Sequence, residues 1–391
     1  MDTGKTVFSQ LMDVVPKYKF QKIVKRHKGN YRVRSFRCWD QLLCMCFGQF
    51  TFRESLRDLT STLNTLGGRR YYLGLKNEVP LSTISDANAS RPWQMYQELA
   101  MVLVEQARRL YHGDDQDLDE LSESVYAMDS TTIDLCLSLF PWAEFRKNKA
   151  AIKLHTLMDL AGSIPTFIHI SDGRTHDVTI LDEIPIIAGS IYIMDRGYLD
   201  FERLQELHKS GGKFVIRAKS NLQFYRKSSR PVDRSTGLLC DQTIRLTGPK
   251  SKQLYPQDLR RVHIIDQENE QDIVLLSNIF SCDAAQISQY YKQRWQIELF
   301  FKWIKQHLRI KAFYEQNVNA VKTQIWTAIC SYLIILICQR TNHFRVKLHT
   351  MMQVLSVAVI DRISLTELFS EADELTNLDP QSRNQLGLFD F

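Results

Sequence analysis

Near residue 300 the chain reads "YKQRWQIELFFKWIK" (291–305). No Gly or Pro interrupts it and helix formers dominate, which predicts a helix. At about 100° per residue, Tyr291, Arg294, Glu298 and Lys305 fall within an arc of about 60°. Beside them runs an apolar arc of Ile297, Phe301, Ile304 and Leu308. Charge at the edge of a core is costly without a partner, so the stripe is expected to meet something polar. Trp295 adds an aromatic face able to stack on an unpaired base. A surface helix with stray ion pairs is the plainer reading of this window taken alone.

Two acids stand out as that partner's other side. Asp129 lies in "VYAMDSTTI", sharing a strand face with Val125 and Ala127, and Asp195 closes the apolar strand "SIYIMD" before "RGY". Ligand sites in open α/β sheets gather at the carboxyl ends of strands. Asp195 could instead cap a following helix, but Asp200, directly before "FERLQEL", suits that role better. Asp129 could be a strand-end acid paired with an Arg, and Asp134, Asp159 and Asp172 compete with it. If Asp129, Asp195 and Glu298 converge, three carboxylates would repel and take up protons. Hard divalent cations relieve this, Mg²⁺ with few carboxylates and open positions in particular. Two such ions about 4 Å apart clamp the attacking and leaving oxygens of an in-line phosphoryl transfer. Arg294 and Lys305 would then neutralise flanking phosphates, and Tyr291 would donate a hydrogen bond to one.

The elements that must position these groups follow from the patterning. Residues 1–115 show helical apolar spacing in "SLRDLTSTLNTL" and "RPWQMYQELAMVLVEQARRLY", separated by turn-like "LGGRRYYLGLKNEVPLS". "PLSTISDANASRPWQMY" carries a weak helix-turn-helix pattern. An acidic linker, 113–124, leads into strands "SVYAMDSTTIDLCL", "AIKLHTLMDL" and "SIPTFIHISDG", with "LAGS" as a tight turn. "DVTILDEIPIIA" is expected to supply a helix, followed by strand "SIYIMD", helix "FERLQELHKSG" and strand "KFVIRA". Three strands in a meander, then alternating helix and strand, predict an α/β mixed sheet. Residues 220–282 turn β-rich, and 311–391 form a helical C-terminal region with an acidic tail.

Composition sets the frame. The 391 residues allow two or three domains with a sizeable core. The net charge of +6 is unevenly spread: residues 17–37 hold nine Lys or Arg and no acid, while 361–391 hold seven acids against two Arg. A basic head with interleaved aromatics predicts a polyanionic partner, with Lys25, Arg26, Lys28, Arg32 and Arg34 as candidate DNA contacts. The eight cysteines show no metal-ligand spacing and suit a reducing cytosol. "GKT" at 4–6 lacks the strand and Gly of a phosphate loop. The N-terminus has no signal-peptide pattern, and the apolar run 325–338 is too short to span a bilayer, so no membrane is expected.

Tyr, two residues, Arg, three residues, Glu, six residues, Lys is met by Tyr291, Arg294, Glu298 and Lys305. With "AMDSTTI" before it, "MDRGY" between and a β-rich stretch ahead of the Glu, the chain resembles the bacterial insertion-sequence DDE transposases with a YREK signature (insertion sequence family four). "KLH" (Lys153 to His155) and "LLSN" (Leu275 to Asn278) add to the likeness, which covers roughly residues 75–345. The resemblance implies a ribonuclease-H-like catalytic core over 120–310, interrupted by a β-strand insertion domain at 220–282, with a helical N-terminal DNA-binding region. It implies catalysis and metal binding by Asp129, Asp195 and Glu298 with two Mg²⁺ ions, Mn²⁺ being a substitute. It further implies cut-and-paste transposition, nicking of element ends and joining to target DNA, by a dimer paired on double-stranded DNA in the bacterial cytoplasm at the nucleoid. Hairpin-forming relatives receive a flipped base on an aromatic of the insertion. No Trp lies between Trp142 and Trp295, which leaves Phe224, Tyr225, Tyr255 or Phe280. The competing readings are a ribonuclease-H-like endonuclease without strand transfer, a non-catalytic DNA-binding protein and a degenerate, inactive transposase copy.

Overall fold

The computed structural model describes residues 4–112, 124–146, 149–266, 271–307 and 313–370. The acidic linker at 113–123, Leu308 and the tail from 371 onward lie outside the described residues. The first third supplies six helices: α1 (Val7–Met12), α2 (Lys17–Arg26), α3 (Cys38–Phe50), α4 (Leu56–Thr65), α5 (Leu81–Ser90) and α6 (Gln94–His112). Thr6 and Ser55 cap α1 and α4 by accepting from Ser9 N–H and Asp58 N–H, the usual role of a hydroxyl ahead of a helix. The amphipathic α2 buries Phe20, Ile23 and Val24 and leaves its lysines outside. It closes in a Schellman motif, with Gly29 N–H donating to Val24 O and Lys28 N–H to Lys25 O. Lys28 stands at φ +54°, where glycine is usual. The glycine comes one place later because a Cβ at Gly29 would run into Met95 Sδ and Cys38 Sγ.

Strands follow: β1 (Val125–Leu135), β2 (Glu144–Arg146), β3 (Lys149–Asp159), β4 (Ile164–Asp172) and β5 (Ile191–Met194). Then come α7 (Phe201–Lys209), β6 (Lys213–Arg217), β7 (Phe224–Arg230), β8 (Leu238–Leu246), α8 (Ser251–Leu254), β9 (Leu259–Asp266) and β10 (Gln271–Ser277). The chain continues through α9 (Ala284–Lys292), α10 (Trp295–His307), α11 (Val318–Thr341) and α12 (Leu348–Ala358). The strands make one sheet, ordered β2-β3-β1-β5-β6-β10-β9-β8-β7, with β4 on β3. The centre, β1-β5-β6, is parallel, while β6-β10-β9-β8-β7 is antiparallel. The β-rich segment 220–282 therefore extends the same sheet through β10 rather than forming a separate one.

Two compact units result. One is drawn from His112–Asp134 and Ala143–Phe301, and the other from Met1–Tyr111, Leu135–Trp142 and Lys302–Phe391. In the sheet unit, Tyr126 and Met128 of β1, Tyr192 and Met194 of β5, and Phe214 and Ile216 of β6 form one buried face with Leu204 and Leu207 of α7. Alternate residues point the other way, so Asp129, the residue after β5, and Arg217 lie toward the face that α9 covers.

In the helical unit α11 packs against α1, α3, α5 and α12. It is long and apolar enough to cross a bilayer, yet 94% of its most apolar window is buried inside the structure; the apolar run at 325–338 is only its middle. The two ends of the chain are sewn together here. Val7 N–H donates to Asp361 O and Phe8 N–H to Val359 O, both at 2.9 Å. The Gln10 side chain donates to Ile363 O at 2.6 Å and accepts from Leu365 N–H at 3.1 Å.

Two expectations about elements are corrected. Residues 177–188 make only a short 3-10 turn, Asp177–Asp182; β-branched Val178, Thr179 and Ile180 and then Pro185 do not sustain a helix. Residues 291–305 are two helices, α9 and α10, and not one. Between them Arg294 N–H bonds to Tyr291 O and Ile297 N–H to Arg294 O, the tighter spacing of a 3-10 step.

Candidate active site

Met128 and Met194 are partners across the parallel β1–β5 pair. The next residues, Asp129 and Asp195, are therefore side by side on one face, where two strands of like direction present their ends together. β1 itself continues beyond Asp129 to Leu135, but β5 stops, and Asp195 turns the chain by accepting from Gly197 N–H at 2.7 Å. Asp195 is thus a cap as well as a site candidate, while Asp200 caps α7 through Glu202 and Arg203 N–H. One Asp129 oxygen accepts from Ser130 N–H at 2.8 Å.

The 3-10 step between α9 and α10 delivers the remaining groups. Arg294 forks across two acids, with Nη1 3.1 Å from Asp129 Oδ2 and Nη2 2.5 Å from Glu298 Oε1. Its guanidinium also lies 5.7 Å from the centre of the buried Tyr291 ring. The continuous 60° stripe is broken, but the tight turn preserves the meeting of Tyr291, Arg294 and Glu298. Lys305, two turns farther along α10, is half-buried, and Trp295 in the first turn is 47% exposed.

Burial pushes the Asp129 carboxyl up to about 6; Ser130 N–H and Arg294 pull it back, and Asp195 and Glu298 push it further up. Arg294 is half-buried, which opposes its charge, yet Glu298, Tyr291 and Asp129 hold its pKa above the ordinary value. Burial likewise raises Tyr291, while Arg294 and Arg217 draw it down. Burial, more than the neighbouring acids, is thus what opposes the Asp129 charge, and Arg294 offsets part of it.

A hard cation suits this donor set, since every candidate ligand is a carboxylate oxygen. Among the described residues no three acidic, His or Cys side chains already converge closely enough to hold an ion. Arg294 lies between Asp129 and Glu298 instead, a positive group standing in the place of positive charge. The oxygen-only donor set is of the kind a hard divalent ion takes, with Arg294 paired to two of the three carboxylates.

The other expected positions divide. Lys25, Lys28, Arg32 and Arg34 are exposed. Arg26 is exposed but paired to Glu98 at 2.6 Å, and Arg32 lies over the Tyr31 ring. Of the insertion aromatics, Tyr255 is fully buried with its hydroxyl bonded to His208 Nδ1, which removes it as an acceptor of a flipped base. Phe224 is half-buried under Arg261, whereas Tyr225 and Phe280 are exposed. The competing acids have other work: Asp159 Oδ1 accepts from Ala161 N–H, Asp172 Oδ1 holds Arg174 and Thr175, and Asp134 is exposed.

Sequence reasoning missed Arg217 and Asp177. Arg217 follows Ile216, the β6 partner of Met194, so it neighbours Asp195. The signal was there, since it closes "KFVIR" as Asp195 closes "SIYIMD". No local pattern marks Asp177, whose side chain meets Ser130, the neighbour of Asp129.

A mixed sheet with parallel centre, helices on its faces and acids at adjacent strand positions defines the ribonuclease-H-like class of nucleic-acid-processing cores. The transposase DDE domain matches residues 120–334, more than half the chain, and a domain of unknown function, DUF4372, matches residues 3–76. The y4zB protein of Sinorhizobium fredii, named as a transposase, is 33% identical over 263 residues, covering 66% of this chain and 71% of that protein. A Geobacillus stearothermophilus protein named as a transposase for insertion sequence element IS5377 is 28% identical over 256 residues, 65% of this chain and 66% of that one. A Synechocystis protein named for element IS4SA is 26% identical over 271 residues, 67% and 73% of the two chains. A piggyBac transposase in a synaptic complex with hairpin DNA aligns at a TM-score of 0.46 and 12% identity, covering 96% of this chain and 81% of that one, a likeness too loose to build on. The chain belongs to the DDE transposase family, as an insertion-sequence transposase whose partner is DNA.

Proposed function

We propose that this transposase cleaves the ends of its insertion sequence and joins them to target DNA, with Asp129, Asp195 and Glu298 as the catalytic and metal-binding carboxylates. The observation that carries this is the register of Met128 with Met194, which sets Asp129 beside Asp195, with Arg294 tying Glu298 to the same spot. Two Mg²⁺ ions, or Mn²⁺ in their place, supply water activation and charge neutralisation when bound by these three residues. Arg294 holds Asp129 and Glu298 until a phosphate offers its fork a better bidentate partner. Tyr291 orients a phosphate oxygen, Arg217 and Lys305 neutralise neighbouring phosphates, and Trp295 stacks on a base freed from its pair. Lys25, Arg26, Lys28, Arg32 and Arg34 hold the terminal-repeat duplex by its backbone. Tyr225 and Phe280 are the exposed insertion aromatics for a hairpin step. Two chains work on paired ends.

The test uses linear DNA carrying the element's own ends with Mg²⁺. Wild type is expected to cut at the ends, and Glu298→Gln to bind them without cutting. If neither protein cuts with any divalent ion while both bind alike, the chain is a DNA-binding protein or an inactive transposase copy, and the catalytic reading fails for it.

A further inference from the structure

Behind Asp129, on the opposite face of the sheet, lies a polar network that the proposed reaction does not use. Ser130 points there by strand alternation. Its hydroxyl donates to Asp177 Oδ1 at 2.8 Å. The same oxygen is 3.2 Å from Lys153 Nζ and 3.5 Å from Nδ1 of the fully buried His155. Lys153 also donates to Thr175 O at 2.8 Å, clamping the loop after β4, and His155 Nε2 is 2.8 Å from Ser171 Oγ. The buried Tyr198 ring of "MDRGY" sits close enough that the charges of Asp129, Asp177 and Asp195 all raise its hydroxyl's pKa, after burial itself.

Ser130 is the pivot. Its N–H holds Asp129 Oδ1 at 2.8 Å and its hydroxyl is held by Asp177. A change in the Ser130 backbone would therefore rotate the Asp129 carboxylate. Two anchors on two strands, Ser130 of β1 and Lys153 of β3, meet on one Asp177 oxygen, with His155 of β3 packed beside it at 3.5 Å, more than is needed to satisfy a single serine. A carboxylate that must present a particular oxygen to a cation needs such support, because the partners behind a ligand set its orientation and affinity.

We infer that Asp177, braced by Lys153, is a positioning residue for Asp129, acting through Ser130 to aim that carboxylate at the divalent ion. The inference rests on the reading of Asp129 as a metal ligand, so its test separates the two. Full-length protein would be titrated with Mn²⁺ and followed by electron paramagnetic resonance, alongside DNA-end cleavage against Mg²⁺ concentration, DNA affinity and melting temperature. Asp177→Ala is expected to weaken Mn²⁺ binding about tenfold or more and to raise the Mg²⁺ needed for half-maximal cleavage in step. DNA affinity should stay within about twofold. Ser130→Ala leaves the Lys153–Asp177 pair intact and should move both readouts the same way, which keeps the test open if Asp177→Ala does not fold. Lower melting temperature or slower cleavage with Mn²⁺ affinity and Mg²⁺ half-saturation unchanged in both variants would reduce the network to a structural brace and overturn the inference. Asp129→Asn is the control. If it abolishes Mn²⁺ binding while the Asp177 and Ser130 variants do not, only the positioning role falls. If it too leaves Mn²⁺ binding unchanged, the ligand reading falls and the inference with it.

Discussion

Asp129 concentrates the energetics of the site in one side chain. Its folded-state value of about 6 lies above the ordinary 3.8. The proton it holds therefore stabilises the fold fully below about pH 4, and that contribution is lost as the pH climbs through 6. In metal-free protein, Asp129→Asn should be more stable than wild type at pH 8, by an amount on the order of 3 kcal/mol, with the gap closing toward pH 4. Thermal melts in EDTA across that range check it; a gap that is constant, or reversed at pH 8, would mean that Arg294 compensates the charge fully. The residue scale is also where the sequence was most legible. Asp195 ends a short apolar run and Arg294 and Glu298 stand four apart, so type and spacing alone bring them forward. Asp177 was hidden because its importance comes from β3 and β1 arriving beside it, and no neighbour along the chain announces either.

At the scale of elements, strand alternation placed most strands, and Asp200 marked the start of α7. The break at Arg294 was not legible. A helix-favouring window with no Gly or Pro gives no local reason to tighten, and only the sheet beneath α9 and the two acids waiting for the guanidinium provide one. The turn at 177–182 failed for the opposite cause, since an apolar spacing suggestive of helix is carried by β-branched residues and cut short by Pro185. The end of α2 offers an element-scale test. Lys28 occupies a left-handed position that disfavours side chains by about 1 kcal/mol. Lys28→Gly should therefore raise the melting temperature. The same change should weaken DNA binding and make its salt dependence shallower by about 0.9 for each phosphate that is no longer neutralised. An unchanged salt slope would take Lys28 off the DNA.

At the scale of the molecule, the sequence suggested a helical head, a sheet core and a helical tail in succession. The structure is less linear: the helical unit is assembled from both ends of the chain around α11, and the sheet runs on through the β-rich segment without a boundary. Long-range pairing of this kind depends on which apolar surfaces complete one another, and that information is spread over hundreds of residues. Residues 1–112 expressed alone should lack a cooperative melt and show little amide protection in α3, because the surfaces that α1, α3 and α5 bury against α11 would face water. A cooperative transition in that fragment would show that the six helices suffice.

The stitching of Val7, Phe8 and Gln10 to Val359, Asp361, Ile363 and Leu365 has a consequence in time. A ribosome adding about 5–20 residues each second will have exposed the basic head for many seconds before α11 and the stretch of backbone that seals it emerge. During that interval the head has its charge but not its shape, so the first chain segment made is among the last to be finished. If the head reads the DNA end as proposed, that recognition would become available only when synthesis is nearly done, and a chain cut short before residue 360 would carry the head's charge without the backbone that seals it.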